Sequence, residues 1–137
     1  MVSGPRYISV AVLLGLFACG EDDEGLLPTD PNLNDVQEMV FEQACATSGC
    51  HDSAAAGGLD LSSNEQSRAN LIGVAPTNRL ARASGWSRIV PGAVDDSFLY
   101  RKITLPGLGE GAPMPVSNQL TEPYIALVRR WIEGGAR

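Results

Sequence analysis

One histidine, three cysteines and three methionines in 137 residues limit the chemistry open to this chain. A closed zinc site takes four ligands, commonly as Cys or His pairs two to four residues apart, and this sequence has no second His and no unclaimed Cys to complete one. No Gly-rich phosphate loop of diagnostic form occurs, and no Cys is free for nucleophilic work. No catalytic group is legible, and an enzyme is not expected. Aromatic residues are few, two Trp, three Tyr and three Phe, so a domain of this size has limited apolar mass of its own. Charge of one sign is scarce in its later part. The chain as a whole carries −6, but from Asp35 onward eleven acidic residues face nine basic ones. That balance excludes nucleic acid as a partner and predicts no strong electrostatic steering. The longest apolar run, Tyr7 to Ala18, is too short to span a bilayer.

That run, preceded by Arg6, has the form of a secretory signal peptide over residues 1–18. It ends Leu16-Phe17-Ala18-Cys19, which resembles the lipobox of bacterial lipoprotein precursors and makes Cys19 the expected lipidated N-terminus. An ordinary signal peptide followed by a stray cysteine is the plainer alternative. Gly20 follows in place of Asp; by resemblance to Gram-negative lipoproteins this points to the outer membrane, with the protein on its periplasmic side. Residues 19–34 collect Glu21 to Glu24 and two prolines and read as an acidic flexible tether. The remainder, 35–137, is long enough for one domain, and 24 Gly and Pro residues in the whole chain predict much loop.

Within it, the stretch Cys45-Ala-Thr-Ser-Gly-Cys50-His51 holds the unique histidine and two of the three cysteines. A c-type haem is held by thioethers from two cysteines, and the His directly after the second binds the iron, usually as C-x-x-C-H. Here the spacing is C-x4-C-H. Two further residues must loop out, and small residues with a glycine suit that. A disulfide between Cys45 and Cys50, closing a short loop in an oxidising compartment with His51 an ordinary polar neighbour, is the competing reading.

Helical spacing predicts a first helix from Asn34 or Asp35 to about Cys45, with Val36, Met39, Val40 and Ala44 on one face. A turn through Gly57-Gly58 follows, then a short helix capped by Ser62 or Ser63 and ending at Leu71-Ile72. Residues 73–92 show little periodicity, and Trp86 reads as a loop anchor. Asp95 to Ile103 reads as a third helix with Asp95 or Asp96 at its N-cap and Phe98, Leu99 and Ile103 on the buried side. Arg101 and Lys102 suit its C-terminal end, or an anionic group nearby. The last helix starts at Thr121 and runs through Glu133 to Gly134-Gly135, with Tyr124, Val128 and Trp131 on one stripe.

Met114 stands between Pro113 and Pro115, which stiffen the loop presenting it. Met1 leaves with the signal peptide, Met39 lies on the helix entering the His51 side, and no second His exists. Met114 is therefore the candidate sixth ligand of a haem iron, where a thioether favours the ferrous state. A methionine filling a gap in the core is the bland alternative.

Taken together, Cys45-x4-Cys50-His51, Pro91-Gly92, Ser97-x-Leu99-Tyr100-x-Lys102, Met114-Pro115 and Trp131-Ile132-x-x-Gly135-Ala136 resemble the bacterial cytochrome c-like domains of secreted lipoproteins and planctomycete-type oxidoreductases, over residues 35–137. The spacing of the attachment motif departs from the family pattern. The resemblance implies an all-α, small class I-like cytochrome c fold of about four helices and long loops around one covalent haem c. Cys45 and Cys50 would tether the haem, and His51 and Met114 would cap the iron. It further implies a lipid-anchored periplasmic electron carrier serving a redox partner protein and touching the membrane only through its anchor. A haem-free, disulfide-stapled envelope lipoprotein acting as a binding or structural module is the alternative. A haem enzyme or sensor would need Met114 to swing away, against the stiffness of its two prolines.

Overall fold

The computed structural model describes Met1 and residues 27–137. The expected signal peptide, Cys19 and the acidic cluster of the tether lie outside the described residues. Helix α1 (Leu33–Val36) runs directly into a π-helical segment (Gln37–Cys45), followed by α2 (Asn64–Leu71), α3 (Arg79–Ala83), α4 (Phe98–Ile103) and α5 (Glu122–Glu133). Among the described residues no strand forms; two isolated bridges, Ile72 with Ile89 and Ser87 with Ser97, hold loops side by side. The architecture is all-α, and no described helix is long and apolar enough to cross a membrane.

The first helix starts earlier than the predicted Asn34 or Asp35. Asn32 is the N-cap: its side chain accepts from the Asn34 N–H at 2.7 Å, and Asp35 accepts from the Asn32 N–H at 2.8 Å. Several capping boxes overlap in the sequence, and burial selects this one. Leu33 is buried and its N–H donates to the Arg137 carbonyl at 2.7 Å, so Leu33 and Asn34 belong to the helix rather than to the tether. From Gln37 the backbone bonds span five residues, as in Ala46 N–H to Phe41 O at 2.6 Å. The wider turn leaves Met39 and Ala44 half-buried and directs Gln37, Val40 and Phe41 inward.

Helix α5 has the predicted limits, with Thr121 at its N-cap and Gly134 at its C-cap. Leu127, Val128, Trp131 and Ile132 are buried. Tyr124, expected on the same stripe, is exposed in the first turn, where a tyrosine can keep its hydroxyl in water. The Trp131 ring meets Phe41 edge to face, with centroids 6.1 Å apart, and its indole N–H donates to the Arg137 carbonyl at 3.1 Å. The two ends of the domain are thus packed together.

Two departures lie between these helices. A short helix, α3, occupies part of the stretch read as loop; Asn78 caps it, accepting from the Ala81 N–H at 2.9 Å. Five residues are too few for an apolar period to show. Helix α4 begins after Ser97, not at Asp95 or Asp96. Ser97 is fully buried; its hydroxyl accepts from Val90 N–H at 2.9 Å and donates to Ala93 O at 2.8 Å. An ionised carboxylate could not do both.

One buried polar group ties the first helix to the rest. The Gln37 amide donates to Leu61 O at 2.9 Å and accepts from the Ser67 hydroxyl at 2.7 Å, joining the π segment to α2 and to the chain beside His51. Gln37→Leu leaves a buried carbonyl and a buried hydroxyl without partners and should cost about 2–4 kcal/mol in urea denaturation. A loss below about 0.5 kcal/mol would show that this network contributes nothing.

Candidate cofactor-binding cleft

Distant parts of the chain converge on one largely apolar cleft. Its walls are Cys45 from the end of the π segment, His51, Leu59 and Leu61 from the following turn, Leu71 of α2, Phe98, Leu99 and Ile103 of α4, and Met114. The cavity volume is about 170 Å³, below the roughly 300–1,000 Å³ of pockets that enclose a drug-sized ligand. The cleft has the apolar walls that a flat, hydrophobic ring requires.

The loop between Cys45 and His51 is closed by its own backbone. His51 N–H donates to Cys45 O at 3.0 Å and Cys50 N–H to Thr47 O at 2.9 Å. Asp52 accepts from Gly49 N–H at 3.2 Å and Ala54 N–H at 3.0 Å, which fixes the turn. Next the chain bends through left-handed residues at Ala55, Gly57 and Gly58. At Gly58 glycine is required twice over: φ is +67°, and a Cβ would lie 2.9 Å from the Thr77 methyl. This bend brings Leu59 O to 3.2 Å from His51 Nδ1. A ring N–H donated to a backbone carbonyl fixes the tautomer and leaves Nε2 with its lone pair, as in metal-ligating histidines.

Cys45 and Cys50 are both free thiols. Cys45 lines the cleft, whereas Cys50 is exposed and stands outside the lining. Burial, with a smaller contribution from Cys50, pushes the Cys45 thiol up to about 12. It therefore stays protonated at neutral pH.

Met114 reaches the cleft from the opposite end of the chain. Its N–H donates to Lys102 O at 2.8 Å, so the proline loop is pinned to α4. A second attachment lies one turn of the loop earlier. Buried Glu110 accepts from Arg101 Nε and Gly107 N–H, both at 2.5 Å, while the Lys102 ammonium donates to Glu110 O at 3.1 Å and to Ala112 O. The hydrogen bond from Arg101 holds the Glu110 carboxyl below the usual glutamate range, aided by the Gly107 amide and opposed by burial. Arg101 also lies over the Trp86 ring, 5.2 Å from its centroid. Trp86 packs near Phe98 and lies outside the cleft lining.

The candidate residues thus separate. His51, Cys45 and Met114 share the cleft, Cys50 stands at its exterior, and Cys19 lies outside the described residues. Of the two cations considered for an anionic group, Lys102 lines the cleft but is engaged with carbonyls, and Arg101 is committed to Glu110. Sequence reasoning missed Arg88, Thr77 and Asn78, which also line it. The one signal for Arg88 is a cation beside an apolar pair, in Arg88-Ile89-Val90. Among the described residues, no three His, Cys, Asp or Glu side chains cluster to hold a metal ion by themselves. Comparison with protein families, with curated proteins and with solved structures finds no match.

Two outcomes follow from this geometry. Brief alkylation of the ligand-free chain at pH 8 should modify Cys50 well before Cys45, read by peptide mass spectrometry; equal rates would contradict the burial of Cys45. A carboxyl lowered in the folded state stabilises it above its unfolded pKa, about 4.3 for glutamate, and that contribution is lost as pH falls through the folded value. Protection of the Met114 amide from hydrogen exchange should therefore hold between about pH 7 and 5 and fall below about pH 4. Glu110→Gln should weaken that protection at neutral pH, and an unchanged amide would show that Glu110 does not help hold the Met114 loop.

Proposed function

We propose that the cleft binds one haem c and that the protein is a monohaem electron carrier with a class I-like cytochrome c fold. The observation that carries this reading is that Met114 lines the same apolar cleft as Cys45 and His51, which lie far earlier in the chain, with the His51 Nδ1–H engaged by Leu59 and Nε2 left available. In this reading Cys45 and Cys50 would form the thioethers, and His51 and Met114 would hold the iron. Cys50 sits in the short loop closed by the His51-to-Cys45 hydrogen bond.

When bound, the haem supplies a one-electron iron couple. The chain's own residues determine the rest. Leu59 O holds the imidazole and the Lys102 carbonyl holds the Met114 loop, so the two side chains that would hold the iron are each tied to the fold. A soft thioether from Met114 would favour the reduced state of such an iron. Leu61, Leu71, Phe98 and Ile103 keep water from the cleft floor, and no proton-transferring side chain is required. Leu105, Leu108 and Val116, in the chain on either side of Met114, are exposed apolar side chains and offer a redox partner protein a surface to dock on. Anchored by a lipid on Cys19 through an acidic tether, the domain would work on the periplasmic side of the outer membrane of a Gram-negative bacterium.

Expression of the whole chain in a periplasm equipped for cytochrome c maturation tests this reading. Haem should remain on the polypeptide in a denaturing gel and be lost in Cys50→Ser. Met114→Ala should retain the haem, alter the reduced-minus-oxidised spectrum and lower the potential. A colourless protein with Cys45 and Cys50 joined in a disulfide, alongside a mature control cytochrome, would reject the haem and favour a stapled envelope binding module.

A further inference from the structure

Three donors that suit a soft metal ion share the cleft: the free Cys45 thiol, the His51 imidazole and the Met114 thioether. Each is held by the fold. Cys45 ends the π segment, Leu59 O engages His51 Nδ1 at 3.2 Å and leaves Nε2 with its lone pair, and the Met114 N–H is pinned to Lys102 O at 2.8 Å. The cavity of about 170 Å³ is smaller than one that encloses an organic ligand, but it has room for a single ion. Among the described residues no three His, Cys, Asp or Glu side chains cluster, which removes the usual donor sets of zinc and of the hard cations. The third donor here is a methionine, and a thioether beside a thiolate selects soft, monovalent copper. Charge points the same way. Arg88 and Lys102 also line the cleft, and Glu110, the carboxylate of its lining, is taken by Arg101. A divalent ion would add uncompensated charge to this largely apolar wall, whereas Cu(I) with one thiolate is neutral.

We propose that the chain without haem binds one Cu(I) in this cleft through Cys45, His51 and Met114. The inference goes beyond the haem reading and does not rest on it, because it concerns the chain before any ring is attached. On binding, the Cys45 S–H bond breaks, a sulfur–copper bond forms and the proton passes to solvent. His51 Nε2 and the Met114 sulfur donate lone pairs. Copper enters as Cu(I) and stays monovalent, so no oxidant or reductant takes part. Ion and ring would draw on the same side chains, and each therefore excludes the other.

The test titrates the full chain, produced without haem attachment and with its thiols reduced, against the coloured Cu(I) complex of bicinchoninate under argon. The chain should withdraw one equivalent of Cu(I). Cys45→Ser and Met114→Leu should each weaken binding by about tenfold or more, whereas Cys50→Ser, outside the cleft lining, should leave it unchanged. Methionine-methyl NMR of the wild type gives a readout that needs no variant: the Met114 signal should move on adding Cu(I) and the Met39 signal should not. No withdrawal of copper overturns the proposal. So does a loss in Cys50→Ser equal to that in Cys45→Ser with Met114 unmoved, which would assign the copper to the two thiols of the surface loop. Because haem attachment is scored separately, by a haem-stained denaturing gel, a chain that takes haem but not copper fails this inference alone, and one that takes copper but never haem fails the haem reading alone.

Discussion

The edge-to-face contact of Phe41 with Trp131 is the constraint on which the remaining geometry depends. It locks the π segment against α5, and the hydrogen bonds that Leu33 and Trp131 give to Arg137 seal the two ends of the domain to each other. Cys45 is the last residue of that segment, so the cleft inherits its position from this packing. In a chain with few aromatic residues, Trp131 and Phe41 are the largest fully buried side chains among the described residues. Gln37 extends the same frame sideways to Leu61 and Ser67.

The two sides of the cleft are built differently. On the His51 side a closed backbone loop, an Asp52 turn and three left-handed residues hold the ring within a few residues of its own chain. On the Met114 side the support is borrowed: α4 lends the Lys102 carbonyl and ammonium and the Arg101 guanidinium, and the loop supplies Glu110. Local opening is easier where attachments are few, polar and near solvent. The methionine side is thus held through side chains of a neighbouring helix, and the histidine side through its own backbone.

Much of this was legible in the sequence because it rests on local rules. The Thr121 start and Gly134 stop of α5 and the Ser63 cap of α2 follow from residue chemistry within a few positions. The misread features needed tertiary information. Asn32 prevailed over Asn34 because Leu33 is buried against the C-terminus, and Ser97 prevailed over Asp95 because a buried cap had both to donate and to accept. Helix α3 was too short to announce itself. Arg88 is held in its wall by the carbonyls of Gly58 and Asn70, 30 and 18 residues earlier, which no local pattern announces.

Gly49 faces open space: a methyl group added there would meet nothing within 4 Å, although its φ of +79° favours glycine. The residues between Cys45 and Cys50 therefore bulge into solvent, and a single hydrogen bond, His51 N–H to Cys45 O, draws the first cysteine and the histidine together beneath the bulge. The number of residues between the cysteines thus measures the height of a surface arch rather than the width of the chamber below. Lineages could lengthen or shorten that arch without redrawing the interior, so the spacing of such a motif is a weaker guide to what the interior can hold than the hydrogen bond at its base.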